Sequence, residues 1–416
     1  MDTFSKNRLS FFLLWLGQLV SQFGDAIFHI ALLWLALELT GSNASTGLIA
    51  TAGYLPAILL SLAAGVVADR VDRRWLMIAC AAIQALVVAM VPLLSTTGYL
   101  SGWTLAMVAF GLASGAAFFN PARDALIPKL VSREKLNRAN SFIQISAQMA
   151  FLAGPAAAGI LVATVGVMPL FSIDAATFVF SMFTLSFIRV PKIKEGTLQM
   201  GSVALPQIPP LAGSTISEIK AGLHLAWRDK RLRGLLFITA VDNLVIMGPA
   251  IVGTPIYVRT VLGFGDQGAG AYATLVSLFF VGMVIMSLLI GFAGRTWPKG
   301  KLIILGMFLD GMTFIPFFFI DSFVPACVAM FIHGLTVPLL TVPRATIIQE
   351  IVPDAGRGRI FALQNLSVVG FSAVSTGLTG IVAEWASMSV IYLVIGIAGA
   401  LCAIFGMTFK ALRQVP

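Results

Sequence analysis

Long apolar stretches recur along the chain, and short polar segments separate them. A helix needs about 20 apolar residues to cross the hydrocarbon core of a membrane. The pattern predicts twelve crossings, over residues 10–38, 45–68, 75–96, 103–120, 140–164, 168–189, 235–259, 271–294, 301–320, 323–341, 360–383 and 389–410. We therefore expect an all-α polytopic membrane protein.

One longer polar segment, residues 191–234, interrupts this pattern near the middle of the chain. Its second part, Ser214 to Asp229, places apolar residues at helical spacing, which predicts an amphipathic helix at the membrane surface: Ile216, Ile219, Leu223 and Trp227. We predict an N-terminal six-helix lobe over 1–190, a cytoplasmic linker over 191–234, and a C-terminal six-helix lobe over 235–416.

Composition supports the membrane interpretation. The chain is 58% hydrophobic and only 11% charged, whereas a soluble domain carries about 25% charged residues. A soluble fold of this length has too little interior to hide so much apolar surface.

Basic residues set the expected orientation. When the amino terminus is placed in the cytoplasm, every one of the 27 lysine and arginine residues except Arg259 falls on or near the cytoplasmic side. This is the bias that membrane proteins show. It predicts that both termini are cytoplasmic, and it explains the net charge of +9 without a nucleic-acid partner.

The two halves repeat. A shift of 221 positions brings Arg123 onto Arg344 and Arg138 onto Arg359. Both matches flank the loop after the fourth helix of a half. They indicate a parallel duplication about an axis along the membrane normal.

The first helix carries a polar stripe. Its members recur at spacings of three and four, so they share one face, which we expect to line a central cavity: Gln18, Ser21, Gln22, Asp25 and His29. Ionisable groups inside membrane helices are costly and usually functional. Asp25 and His29 lie one turn apart and can share a proton or a hydrogen bond. The alternative is that this pair only joins the helix to a neighbour.

Three further ionisable residues lie within predicted helices of the second half. Asp242, in helix seven, matches Asp25 approximately, at a shift of 217. Asp310 lies in helix nine and His333 in helix ten. Each is either a second titrating site or a satisfied polar contact.

Other carboxylates suggest ordinary roles. Asp174, in helix six, is interpreted as a local contact. Glu38 and Glu384 lie near the outer ends of helices, where solvated carboxylates are common.

Two motifs carry a family resemblance. Between helices two and three, the chain has the pattern G-x-x-x-D-R-x-x-R-R, which resembles the corresponding loop of the major facilitator superfamily: Gly65, Asp69, Arg70, Arg73 and Arg74. In helix five, a glycine-proline pattern resembles that of drug/proton antiporters, with alanine replacing its first glycine: Ala150, Gly154, Pro155 and Gly159.

Shorter patterns look like the branch that contains macrolide-efflux and siderophore-export proteins: Gly24-Asp25, Leu33-Trp34, Leu39-Thr40-Gly41-Ser42 and Asn120-Pro121-Ala122-Arg123. A weaker similarity, over 115–145, runs to lysophospholipid transporters. The resemblance implies the two-lobed fold and export.

The resemblance also implies site roles. The Asp69 loop would act as a cytoplasmic latch that stabilises the outward-open state, because its carboxylate can face arginines or a helix end. Arg123 and Arg344, at equivalent inner helix ends, would join this latch. Gly154, Pro155 and Gly159 would bend helix five.

No Walker loop or hydrolase motif is present in the sequence, so we expect neither an enzyme nor a cofactor nor a metal. We expect a monomeric, proton-coupled exporter of a bulky amphipathic small molecule, such as a drug or siderophore, in a bacterial inner membrane. Its expected partners are the substrate, protons and lipids. A lysophospholipid or lipid flippase, and a non-transporting receptor or scaffold, are the alternatives.

Overall fold

The computed structural model describes residues 3–132, 135–189, 223–224, 226–293, 297–352 and 354–413. In these ranges, eleven helices are long and apolar enough to cross a membrane. A further crossing is made of three shorter helices in series. The prediction of an all-α fold with twelve crossings is confirmed.

The first half contains six crossings. They are α1 (Thr3–Thr40), α2 (in three pieces, Asn43–Ala52, Leu55–Leu59 and Ser61–Arg70), α3 (Arg73–Thr97), α4 (Gly102–Leu130), α5 (Leu136–Val165) and α6 (Met168–Ser186). Side-chain caps fix where helices begin. Ser42 accepts from the amide of Ser45 at the start of α2, and Asp72 accepts from the amide of Trp75 at the start of α3.

The second half repeats this plan. It contains α7 (Lys230–Gly248, the π-turn Pro249–Gly253 and Thr254–Thr260), α8 (Ala269–Ala293), α9 (Lys299–Met312 with the 3₁₀ turn Ile315–Phe318), α10 (Phe323–Ile351), α11 (Asp354–Val382) and α12 (Met388–Gly406). A short α13 (Lys410–Arg413) follows.

Two predicted boundaries are wrong in the same way. The fourth and tenth helices were expected to end at 120 and 341, but α4 continues to Leu130 and α10 to Ile351. Pro121 and Pro343 lie inside these helices. A membrane helix can contain proline because neighbouring helices and side chains satisfy the backbone groups that the proline leaves without a hydrogen bond. Arg123 and Arg344 consequently lie within helices, about two turns before their ends.

Each half packs as a lobe. In the N-terminal lobe, α1 packs on α5 and α6, while α3 packs on α4 and α6. In the C-terminal lobe, α7 packs on α11, and α10 packs on both α8 and α9. The lobes meet mainly along two helix pairs, α2 with α11 and α5 with α8, with smaller contacts of α1 with α7 and α8.

The lobe contacts lie toward one end of the bundle. Thr51 and Thr376 are joined by a 3.1 Å hydrogen bond. A Cβ on Gly47 would stand 2.9 Å from Cα of Gly380, so only glycine permits this approach. Trp34 stacks on Tyr272, with ring centroids 6.3 Å apart. We call this end the closed side, and the opposite end, where α1 begins and α12 ends, the terminus side.

Most of the predicted linker, including Ile216 and Ile219, lies outside the described residues. At its end, residues 223–224 and 226–228 are helical. Leu223 is 47% exposed and Trp227 is 64% exposed. These two apolar side chains are accessible, as expected for a helix that touches lipid.

Candidate functional site

The polar stripe on α1 is partly buried and partly accessible. Gln18 and Ser21 are buried, Gln22 and Asp25 are half-buried, and His29 is exposed. Within the described residues, no hydrogen bond or ion pair joins Asp25 to His29. The expected contact between Asp25 and His29 is therefore not made in this conformation. Asp25 instead has a charged neighbour on another helix.

That neighbour is Asp174 of α6. Gly24 lies against Oδ1 of Asp174 and Oγ1 of Thr177, so closely that a Cβ would have no room. This packing brings the carboxyl groups of Asp25 and Asp174 within electrostatic range of each other. Asp174 makes a local contact with Thr177, three residues later, as the sequence suggested, and its interaction with Asp25 is an additional finding.

Asp174 is completely buried, with 0% of its surface exposed. Its Oδ1 atom accepts a 3.3 Å hydrogen bond from Thr177. Its Oδ2 atom has no hydrogen-bond partner among the described residues. A buried carboxyl oxygen without a partner is costly unless a proton or a cation joins it.

The glycine-proline segment of α5 packs against α1 and across the lobe interface. Gly154 lies against Ala26, directly after Asp25. A Cβ on Gly159 would stand 3.1 Å from Cβ of Ala273 in α8. Because α5 remains one helix through Pro155, these glycines serve close packing here, and their bending role stays a prediction.

Two arginines make equivalent contacts in the two lobes. Nη1 of Arg123, on α4, donates to Oε1 of Gln18 on α1 at 2.9 Å. Nη1 of Arg344, on α10, lies 3.5 Å from Oγ1 of Thr239 on α7. Each partner precedes its arginine by 105 residues. The two halves therefore repeat not only residues but also this contact between an arginine and a polar side chain of the first helix of the lobe.

The repeat corrects the alignment of Asp242. A shift of 221 places Asp242 opposite Ser21, rather than opposite Asp25 as the approximate shift of 217 suggested. Oδ1 of Asp242 is buried and has no hydrogen-bond partner in the part of the chain described. Its carboxyl group interacts electrostatically with Arg344 and with Asp310.

Asp310 and His333 form a buried pair inside the C-terminal lobe. Oδ1 of Asp310 lies 3.3 Å from Nδ1 of His333, and their side chains are 4% and 2% exposed. Thr336 donates to Oδ1 of Asp310 at 3.0 Å, and Thr313 lies 2.9 Å from the same histidine nitrogen. Phe314 meets the imidazole edge-on at 4.5 Å. The threonines and the aromatic ring fix the pair in place.

The arginines of the predicted latch make contacts within their own lobe. Nη1 of Arg73 donates to the carbonyl of Ala125 in α4 at 3.0 Å. Nε of Arg74 donates to the carbonyl of Leu185 in α6 at 3.0 Å. These bonds tie the start of α3 to the terminus-side ends of two neighbouring helices.

The remaining latch residues lie near the end of α2. Arg70 is exposed, and a Cβ on Gly65 would meet nothing within 4 Å. The side chain of Asp69 lies outside the described part of the structure. The latch role of this loop stays a prediction.

Comparison with known proteins decides the family. A profile described as transmembrane secretion effector matches residues 4–415. The chain belongs to the transmembrane secretion effector family. It is accordingly a membrane transporter of the major facilitator superfamily and not an enzyme.

Relatives of this transmembrane secretion effector are efflux proteins. It is 27% identical over 371 residues to Macrolide efflux protein A of Streptococcus pyogenes, covering 87% of this chain and 86% of that protein. It is 25% identical over 403 residues to Multidrug efflux pump Tap of Mycolicibacterium fortuitum, covering 94% and 93%. A crystal structure of a mutant of the nucleoside transporter NupG shares the fold, with a TM-score of 0.76, 14% identity, and coverage of 97% and 100%.

The fold also gives long-range partners to two carboxylates for which the sequence predicted only a local contact or a solvated position. Asp174 lies within electrostatic range of Asp25, and Glu384 contacts the opposite lobe. The signal for Asp174 was its position inside an apolar helix, where a charge needs a reason. The contact of Glu384 has no local sequence signal, since its partners lie far away in the chain.

Proposed function

We propose that this transporter is a proton-coupled exporter of a bulky, amphipathic small molecule, and that it works by alternating access of its two lobes. The observation that supports proton coupling is the packing of Gly24 against Asp174, which brings the adjacent Asp25 within electrostatic range of Asp174. Two neighbouring carboxylates in a low-dielectric interior repel each other strongly. A shared proton removes that repulsion, so this pair is suited to hold one.

Access to the pair is unequal. Asp174 is enclosed, whereas Asp25 is half-buried on the polar face of α1. Asp25 is therefore the group through which a proton would enter or leave. For a proton to drive transport, the two conformations must bind it differently. Movement of α1 relative to α6 at the Gly24 contact would change that binding.

The alternation follows the lobe geometry. We assign the lobes to residues 1–190 and 235–416, with 191–234 as the cytoplasmic tether. The lobes are joined at the closed side, which we take as the outer face of a bacterial cytoplasmic membrane. The lone basic exception to the sequence bias, Arg259, lies on that side, which supports cytoplasmic termini.

The substrate class rests on the relatives, which are named for macrolide and multidrug efflux. Both names fit large molecules with apolar and polar parts. A lysophospholipid has the same amphipathic character, so a flippase remains the competing function. A scaffold that transports nothing is the third possibility, and the experiment below distinguishes it from the exporter and the flippase.

Reconstituted transport tests the proposal. Purified protein in liposomes is given a radiolabelled macrolide, with and without an imposed proton gradient. The gradient should accelerate macrolide movement in the wild type, and both Asp25→Asn and Asp174→Asn should abolish that acceleration. Asp321→Asn, which removes an exposed carboxylate in the α9–α10 loop, should behave as wild type.

Three results would overturn the proposal. Macrolide movement that ignores the gradient excludes proton coupling. Movement of a labelled lysophospholipid without macrolide movement favours the flippase. Movement of neither compound by folded protein favours the scaffold.

A further inference from the structure

A carboxylate of the C-terminal lobe caps a helix of the N-terminal lobe on the closed side. Glu384 follows the end of α11. Its Oε1 atom accepts hydrogen bonds from Oγ of Ser42 at 2.7 Å and from the amide of Ala44 at 2.9 Å. Ser42 is the N-cap of α2. The amino end of a helix carries partial positive charge and unsatisfied amides, so an anion from across the interface is well placed there.

A guanidinium of the C-terminal lobe makes the complementary contact. Nη1 of Arg259, in the last turn of α7, donates to the carbonyl of Leu37 at 2.6 Å. Leu37 lies in the last turn of α1, where carbonyls carry partial negative charge. Asp266 holds the other terminal nitrogen of Arg259 at 2.8 Å. Glu38 of α1 is also within electrostatic range of Arg259.

The two receiving helix ends are adjacent in the chain. Helix α1 ends at Thr40 and the first piece of α2 begins at Asn43. Gly41 makes the turn between them with a φ of 62°, in the left-handed region that favours glycine. Asn43 adds a further hydrogen bond across the interface, from Nδ2 to the carbonyl of Ala383 at 2.8 Å.

We propose that Glu384 and Arg259 are the gate residues of the closed side, and that they bind the two helix ends that flank the α1–α2 turn. One charge of each sign, both from the C-terminal lobe, binds the opposite partial charge of a helix end in the N-terminal lobe. The segment Leu39-Thr40-Gly41-Ser42 forms the turn. The gate also accounts for a basic residue on the closed side, since Arg259 binds the carbonyl end of α1. Both are positioning residues that do not need to touch substrate.

The gate rests on the proposed alternation of the lobes and is independent of proton coupling. All of these bonds must break before the closed side can open. Each charge interaction with a helix end at a partly exposed site shifts an equilibrium by about two- to fivefold. Loss of either charge should therefore raise the population in which the closed side is open.

Distance measurements between spin labels test the gate without any transport assay. Cys80, Cys327 and Cys402 are replaced by alanine, and labels are attached to cysteines at Thr96 in the N-terminal lobe and Ser322 in the C-terminal lobe, both exposed on the closed side. Glu384→Gln and Arg259→Gln should each enlarge the long-distance population by about two- to fivefold. The double variant should enlarge it further.

Asp321→Asn is the matched control, because it removes an exposed closed-side carboxylate that makes no described contact with the other lobe. Unchanged distances in folded Glu384→Gln and Arg259→Gln, or an equal change in Asp321→Asn, would overturn the gate. If the double variant does not fold, the two single variants decide. A shifted distance together with gradient-independent transport would retain the gate and reject proton coupling, so the two proposals fail separately.

Discussion

Arg123 donates a 2.9 Å hydrogen bond to Gln18 and so ties α4 to α1 inside the N-terminal lobe. Its counterpart, Arg344, stands 3.5 Å from Thr239 in the other lobe. The two contacts differ in their electrostatic surroundings. Arg123 also pairs with Asp124, whose side chain is 63% exposed, whereas Arg344 interacts with the carboxyl group of Asp242, whose Oδ1 atom is buried.

This difference predicts unequal effects of removing the two charges. Arg344→Gln should lower the free energy of unfolding in detergent by about 1–3 kcal/mol, because Asp242 loses the cation beside it. Arg123→Gln should cost about 0.5–1.5 kcal/mol, because it removes the hydrogen bond to Gln18 while water screens Asp124. Chemical unfolding of both variants measures the difference.

A double variant checks the cause of the Arg344 effect. Asp242→Asn combined with Arg344→Gln should cost less than the sum of the single changes, by about 0.5–3 kcal/mol. Additive costs would show that Arg344 and Asp242 do not stabilise each other.

The packing of α1 on α6 predicts that Gly24 tolerates no side chain. Gly24→Ala should destabilise the protein by about 1–3 kcal/mol, because the new Cβ collides with Asp174 and Thr177. Gly291→Ala, where a Cβ meets nothing within 4 Å, should leave the melting temperature in detergent nearly unchanged. Equal melting temperatures for wild type and Gly24→Ala would contradict the close packing that positions Asp25.

The helices were predictable from sequence because a membrane-spanning helix needs a long run of apolar residues. The duplication was predictable because matching residues recur at a fixed shift. The ends of α4 and α10 were not, because both helices continue beyond their apolar segments through proline and arginine residues that tertiary packing accommodates. The partner of Asp25 was not predictable either. The local candidate, His29, lies one turn away on α1, while the actual neighbour, Asp174, is brought in by the packing of α6 at Gly24.

The Asp310–His333 pair predicts a strong energetic coupling between α9 and α10. Each of Asp310→Ala and His333→Ala should cost about 1–3 kcal/mol, since each leaves a buried polar partner unsatisfied. The double variant should cost clearly less than the sum. Unfolding of the purified variants in detergent measures the coupling, and a zero coupling energy would show that the 3.3 Å approach contributes nothing.

The carboxylate of Glu384 predicts that the closed side opens more readily only at acidic pH. Hydrogen bonds from the Ala44 amide and the Ser42 hydroxyl lower the pKa of Glu384 below its ordinary value of 4.5. The groups of α2 that face it, on Ser42, Asn43 and Ala44, are uncharged. A lowered pKa means that the anion stabilises the closed side fully above pH 4.5 and loses this effect as pH falls through the lowered value.

Spin-label distances across the closed side should therefore stay constant down to about pH 4.5 and lengthen below it. Glu384→Gln should remove this step and leave the distances at their longer values throughout. A transition of the same size in Glu384→Gln would assign the acid response to another group.

Proton movement measured during substrate transport tests the central claim most directly. Liposomes containing the transporter and an internal pH-sensitive dye receive a macrolide gradient but no proton gradient. Antiport predicts that macrolide movement in one direction drives protons in the other, and that Asp25→Asn and Asp174→Asn abolish the dye signal. Macrolide movement by the wild-type protein with no change in internal pH would contradict proton-coupled export.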